Sequence, residues 1–111
     1  MATRGASRWD GDVHYYDYTP DTLRREPNRD AYVVAEAFVY DTRKTEKVAI
    51  TVLVSGQELE IDRVPRDEAI RRGEAVREQA VAKHRAQLPA QHRTLVYDLT
   101  GREIVVEDEA R

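Results

Sequence analysis

Residues 47–70 read KVAITVLVSGQELEIDRVPRDEAI, and a change of periodicity inside this stretch decides the fold. Val48, Ile50, Val52 and Val54 share one side of a two-residue repeat, with Ala49, Thr51 and Leu53 on the other. A period of two is that of a strand, and a strand apolar on both sides belongs inside a sheet. Ser55-Gly56 supplies a turn, after which Leu59 and Ile61 alternate with Glu58, Glu60 and Asp62, so 57–63 reads as a second strand with one wet face. Pro65 then opens a helix: at the first helical position its missing N–H costs nothing, and Asp67 and Glu68 suit the positive end of the helix dipole. Pro89 disfavours helical geometry in the residue before it, which bounds the predicted helix at 65–88. At helical spacing Ile70, Gly73, Val76, Ala80, Val81 and Leu88 share a face, with Arg77 and His84 inside the same stripe. Several of these side chains are small, which predicts a helix lying close to its sheet.

Working outward, TLVYDLTGREIVVED at 94–108 reads as a closing hairpin, with strands 94–99 and 103–106 about the Thr100-Gly101 turn. Upstream, AYVVAEAFVY at 31–40 is rich in valine and aromatics and forms a further strand, DTRKTE at 41–46 being a charged loop. The predicted fold class is therefore α+β. It comprises a small, mostly antiparallel sheet from strands near 31–40, 47–54, 57–63, 94–99 and 103–106, and one long helix near 65–88.

The order after the first strand, ββαββ, resembles that of a ubiquitin-like β-grasp domain. Local wording is similar too, in ITVLVSGQELEIDRVPRDEAI at 50–70 and LPAQHRTLVYDLTGREI at 88–104. The resemblance spans residues 47–106 and implies a fold. It implies nothing about conjugation, because the helix is several residues too long and the sequence ends in Ala110-Arg111 in place of a Gly-Gly tail. A general two-layer α+β domain, with the 31–40 strand added at an edge, is the competing expectation.

Residues 1–30 differ in character from the rest. SRWDGDVHYYDYTPDTL at 7–23 sets Trp9, Tyr15, Tyr16 and Tyr18 among Asp10, Asp12, Asp17 and Asp21, and Val13 and Leu23 are its only branched aliphatics. RREPNRD at 24–30 bridges to the next segment, its Pro27 and Asn28 favouring a turn. The expectation is an extended aromatic arm over 1–30 and a single α+β domain over 31–111. Tyrosine and tryptophan pair large contact area with a polar handle and are enriched where proteins meet, so Trp9, Tyr15, Tyr16 and Tyr18 are candidate partner-binding residues. Ala75, Ala82 and Ala86, on the helix side away from the main stripe, would let a second helix or subunit pack closely, although alanine is also simply the best helix former.

Other readings are narrowed by composition. The 111 residues carry a formal charge of -3, with the basic residues scattered, which makes phosphate backbones a poor partner and no nucleic acid the expectation. With no cysteine, disulfides, thiolate metal sites and cysteine nucleophiles are excluded. No apolar run suits a signal or a membrane span, so the chain is expected in the cytoplasm, or in a virion if viral, without a membrane partner.

His14 with Asp10, Asp12 and Asp17 offers metal-donor chemistry, but the spacing matches no calcium loop, and neither metal nor cofactor is assigned. His84 has no placeable nucleophile beside it, and His92 sits in a loop. Glu58, Glu60, Asp62, Glu103, Glu107 and Glu109 give the strands and tail an acidic side that reads as a solvated face.

The function expected is that of a non-enzymatic structural or protein-protein interaction subunit of a larger, possibly viral, assembly, or a homo-oligomer, docking through its aromatic arm. Two alternatives compete with it. One is a small regulatory binder of antitoxin, inhibitor or immunity type, using the acidic face. The other is a small enzyme or ligand-binding domain built on His14 and its neighbouring Asp and Tyr residues.

Overall fold

The structure, a computed structural model, describes residues 7–41, 46–59, 63–86 and 93–104. Along the chain these form β1 (Ser7–Asp10), β2 (Val13–Asp17), a short 3-10 turn (Pro20–Thr22), β3 (Arg24–Arg25), β4 (Ala31–Asp41), β5 (Glu46–Ser55), α1 (Arg66–Ala86), β6 (Arg93–Tyr97) and β7 (Glu103–Ile104). The fold is α+β: one helix lies on a 7-stranded sheet of order β1-β2-β4-β5-β6-β7, with β3 beside β4. Every pairing between these strands is antiparallel except that of β5 with β6, which α1 connects.

Two expectations change here. The 31–41 strand is interior, flanked by β2 and β5, and is not an edge. The strand at 57–63 is replaced over its described residues by a turn through Gln57 and Glu58 and a single bridge from Leu59 to Val64, residues 60–62 lying outside the described part. The physical reason is that both edges of β5 are taken over Val48–Val52, by β4 on one side and β6 on the other. The hairpin partner of β5 is therefore the strand before it.

The segment expected as an arm contributes three strands to the sheet between residues 7 and 25, β1, β2 and β3. β1 and β2 form a hairpin about Gly11-Asp12, where Gly11 adopts φ 63, and β2 pairs with β4 from Val13↔Val39 to Asp17↔Ala35. What drives this is a period of two hidden among aromatics: Val13 and Tyr15 are fully buried while His14 and Tyr16 point the other way. A tyrosine ring does here the work expected of an isoleucine.

The helix covers one face of the sheet. Val13, Tyr15, Ala35, Ala37, Val39, Val48, Ile50, Val52 and Leu95 meet Ala69, Ile70, Val76, Ala80 and Val81 in one core. A β-bulge lies between Val33 and Ala35, so that Val33 faces away from the helix while Val34 and Ala35 both face it. The helix comes close to the sheet at Gly73, where a Cβ would lie 2.5 Å from Cγ2 of the wholly buried Val34. The helix starts at Arg66, one residue later than expected, with the Pro65 carbonyl accepting from the Ala69 N–H at 2.9 Å. Leu88 and Pro89, where it was expected to end, lie outside the described residues.

β6 and β7 form the closing hairpin. Asp98 builds its turn by accepting from the Thr100 N–H and hydroxyl and from the Arg102 N–H, and Gly101 takes φ 89. Val105 and Val106 fall outside the described residues. Among those described, no helix is long and apolar enough to cross a membrane.

Candidate functional site

Pairing register decides which side chains reach the sheet face turned away from α1. Trp9 lies opposite His14, His14 opposite Phe38, and Tyr16 opposite Glu36. The Trp9 and His14 rings stack at 4.4 Å between centroids with 2° between their planes, and Tyr40 approaches Trp9 at 5.7 Å. His14 continues to Tyr16 at 4.6 Å, Tyr16 meets Phe38 edge-on at 5.8 Å, and Phe38 meets Tyr40 at 6.4 Å. The result is a closed circuit of five rings across three strands. Lys47 on β5 sets its ammonium 5.4 Å from the Phe38 centroid, within cation-π range. Trp9 is 61% exposed, the one large hydrophobic side chain so exposed among the described residues.

At the other end of this face the chain covers itself. Residues 18–25 leave β2, turn at Pro20–Thr22 and return as β3, packing Tyr18 and Leu23 against Val33, Leu53 and Val96. The Tyr18 hydroxyl donates to Glu36 at 2.8 Å and Arg24 reaches the other Glu36 oxygen at 2.7 Å, so this buried carboxylate is fully partnered. Burial, reinforced by the Glu36 charge and hydrogen bond, pushes the Tyr18 hydroxyl up to about 12. Both Glu36 carboxylate oxygens are thus taken up by Tyr18 and Arg24.

On the opposite side α1 fastens the hairpin. Arg77, only 1% exposed, donates from Nη1 to the carbonyls of Tyr16 and Glu36 at 2.8 and 3.2 Å, and from Nη2 to Asp17 at 2.8 Å, with its guanidinium 4.7 Å from the Tyr15 ring centroid. Arg8 also holds Asp17, at 2.9 Å. Burial alone would raise the Asp17 pKa, but hydrogen bonds from Arg77 and Arg8 hold it below the usual carboxylate value. Nearer the helix C-terminus, Arg85 donates to the Asp10 carbonyl at 2.9 Å, and near the N-terminus Arg66 donates to the Pro20 carbonyl at 3.2 Å.

These placements divide the candidate residues. Trp9 and Tyr16 belong to the ring surface, whereas Tyr15 and Tyr18 are buried at 3% and 2%. Burial of these two corrects the expectation that all four form a docking arm. Phe38 and Tyr40 join the surface although sequence reasoning passed over them; their signal was the alternation in AEAFVY, where Ala35, Ala37 and Val39 turn inward and Phe38 and Tyr40 outward.

Ala75 and Ala82 are exposed on the layer opposite the rings, and the side chain of Ala86 lies outside the described part. Asp10 and Asp17 face the helix while His14 faces away, so the chain does not bring these metal-donor candidates together. His84 is half-buried near Arg93 and Glu103, and burial, with Lys83 and Arg93 adding repulsion, lowers its pKa. Of the acidic strand residues, Glu58 lies in a turn and Glu103 on β7, while Glu60, Asp62, Glu107 and Glu109, like His92, lie outside the described residues. Compared with protein-family models, with curated proteins and with solved structures, the chain matches none.

Proposed function

We propose that this chain is a non-enzymatic protein-protein interaction module that docks a protein partner on the ring surface of Trp9, His14, Tyr16, Phe38 and Tyr40. The observation that carries the reading is the contiguity of those rings on the part of the sheet face that residues 18–25 leave uncovered, with Trp9 among them 61% exposed. Rigid aromatic groups give much contact area for little entropy lost, and interface centres are rich in them and poor in charge. Lys47 is the cation beside the patch, and the Glu36 carboxylate is neutralised by its own partners. A subunit of a larger assembly uses such a surface permanently, and a regulatory binder uses it transiently.

Photo-crosslinking in the native host tests this, with a benzophenone amino acid placed at Trp9, at Tyr40 or, as a control on the helix layer, at Ala75. Discrete protein adducts are expected from positions 9 and 40 and not from 75. Equal labelling from all three positions, or none from any, contradicts the proposal.

A further inference from the structure

The edge of the sheet at β1 carries a second surface, distinct from the ring face. In the β1–β2 hairpin Asp10 and Val13 flank the turn, and in a hairpin with a turn of this length that flanking pair exchanges hydrogen bonds. Alternation then makes Arg8 and Tyr15 the next bonded pair, and leaves Ser7 and Trp9 with their N–H and C=O directed away from β2. The other side of the hairpin agrees with this parity. The Tyr40 N–H donates to the Asp12 carbonyl at 3.0 Å, so on β2 the even residues serve β4 and the odd ones serve β1. All four β1 residues are exposed, and no described strand pairs with their outer edge.

We infer that this edge pairs antiparallel with the same edge of a second copy of the chain, about a twofold axis at Trp9. Backbone parity allows only registers in which Ser7 or Trp9 of one copy faces an odd-numbered residue of the other. Three of these, each symmetric about a twofold axis, use the outward edge of Trp9 and set it opposite Ser7, Trp9 or Gly11. One sets Arg8 against Arg8 and another sets Asp10 against Asp10, like charges directly opposed on the helix side of the sheet. The third sets Trp9 against Trp9, with two backbone hydrogen bonds between them, and places Arg8 of each copy opposite Asp10 of the other.

In that register the existing pairs Asp17–Arg8, at 2.9 Å, and Asp10–Arg85, at 3.6 Å, join into a row of alternating charge across the boundary. On the other side the two tryptophans bring the two ring surfaces together. The contact is isologous, as a closed dimer requires, and it removes the exposed edge that β1 otherwise presents. This inference supplies a partner for the interaction reading but rests on the β1 edge, not on the ring face, so each can fail alone.

The absence of cysteine permits a register-specific test. Arg8→Cys and Asp10→Cys are prepared separately, mixed and oxidised. Positions 8 and 10 face each other as a non-hydrogen-bonded pair, within disulfide reach, and the mixed dimer keeps one Arg8–Asp10 pair intact. A covalent dimer is expected from the mixture and not from either variant alone. Sedimentation of the unmodified chain is expected to give a dimer. Trp9→Pro, which removes an outward N–H that the protomer does not use, is expected to shift it to monomer with the fold retained. No disulfide in the mixture, equal disulfide in either variant alone, or a monomeric unmodified chain overturns the inference.

Discussion

The Arg77 guanidinium on α1 lies 2.8 Å from the Asp17 carboxylate on β2, 60 residues earlier in the chain. The same side chain binds the carbonyls of Tyr16 and Glu36, so one buried cation ties the helix, the N-terminal hairpin and the central strand together. The ring surface depends on this tie, because Trp9, His14 and Tyr16 all sit on the hairpin that Arg77 holds.

Replacing Arg77 by methionine preserves bulk but takes one hydrogen bond from each of two carbonyls and one from the Asp17 carboxylate. Removing one member of a buried ion pair costs about 3–5 kcal/mol, and Asp17 retains Arg8, so the lower end of that range is expected. Urea unfolding followed by far-ultraviolet circular dichroism measures the loss, and a loss under about 1 kcal/mol would show that the contact is incidental.

Gly73→Ala makes the helix intrinsically better by about 1 kcal/mol. It also drives a methyl group into Val34, where overpacking costs about 1–3 kcal/mol. A net loss of stability is expected, and Val34→Ala in the same chain should recover part of the helix gain. A stabilised Gly73→Ala variant would mean that the helix does not lie this close to the bulge.

Tyr18→Phe removes the hydroxyl that donates to Glu36 and leaves that carboxylate with Arg24 alone. A loss of about 1–2 kcal/mol is expected, that of a hydrogen bond to a buried charged group. In the unsubstituted chain the phenol should not ionise until about pH 12, which ultraviolet titration reads directly.

Acid should act in two stages. The His84 pKa is lowered from 6.5 by burial, and its Nδ1 is buried without a hydrogen-bond partner among the described residues. The unfolded chain therefore takes up this proton more readily, and stability should fall as pH drops below about 6.5 toward the folded value. Asp17 is lowered from 3.8 by its arginine partners, so its contribution is present above that value and lost as pH falls through the folded one. His84→Gln should flatten the first stage and leave the second; an unchanged first stage assigns it to another group.

Much of the architecture was legible in residues 31–104. The two apolar sides of Lys47–Val54 marked an interior strand, the Pro65 start and the Gly73 stripe marked a close helix, and Thr100-Gly101 marked the last turn. Strand pairing was not legible. Gln57 to Leu59 satisfy the two-residue pattern as well as Ala35 to Ala37 do, and the long-range competition for the edges of β5 separates them.

The N-terminal hairpin was missed for a related reason. Aliphatic content is the usual mark of a core strand, and in VHYYD the buried positions are taken by one valine and one tyrosine. Arg77 falls inside the apolar stripe of the helix, and its sequence neighbours do not account for it there. Its partners are carbonyls and Asp17, whose proximity no local pattern encodes.

The most direct measurement is amide hydrogen exchange across residues 7–17 of the isolated chain at high dilution, in the unsubstituted protein and in Arg77→Met. Protection of the amides of His14 and Tyr16 comparable to that in β4 is expected, with loss of that protection in the variant before β4 and β5 open. Free exchange through 7–17 in the unsubstituted monomer would mean that the hairpin is not held by Arg77, and the ring surface would lose its support.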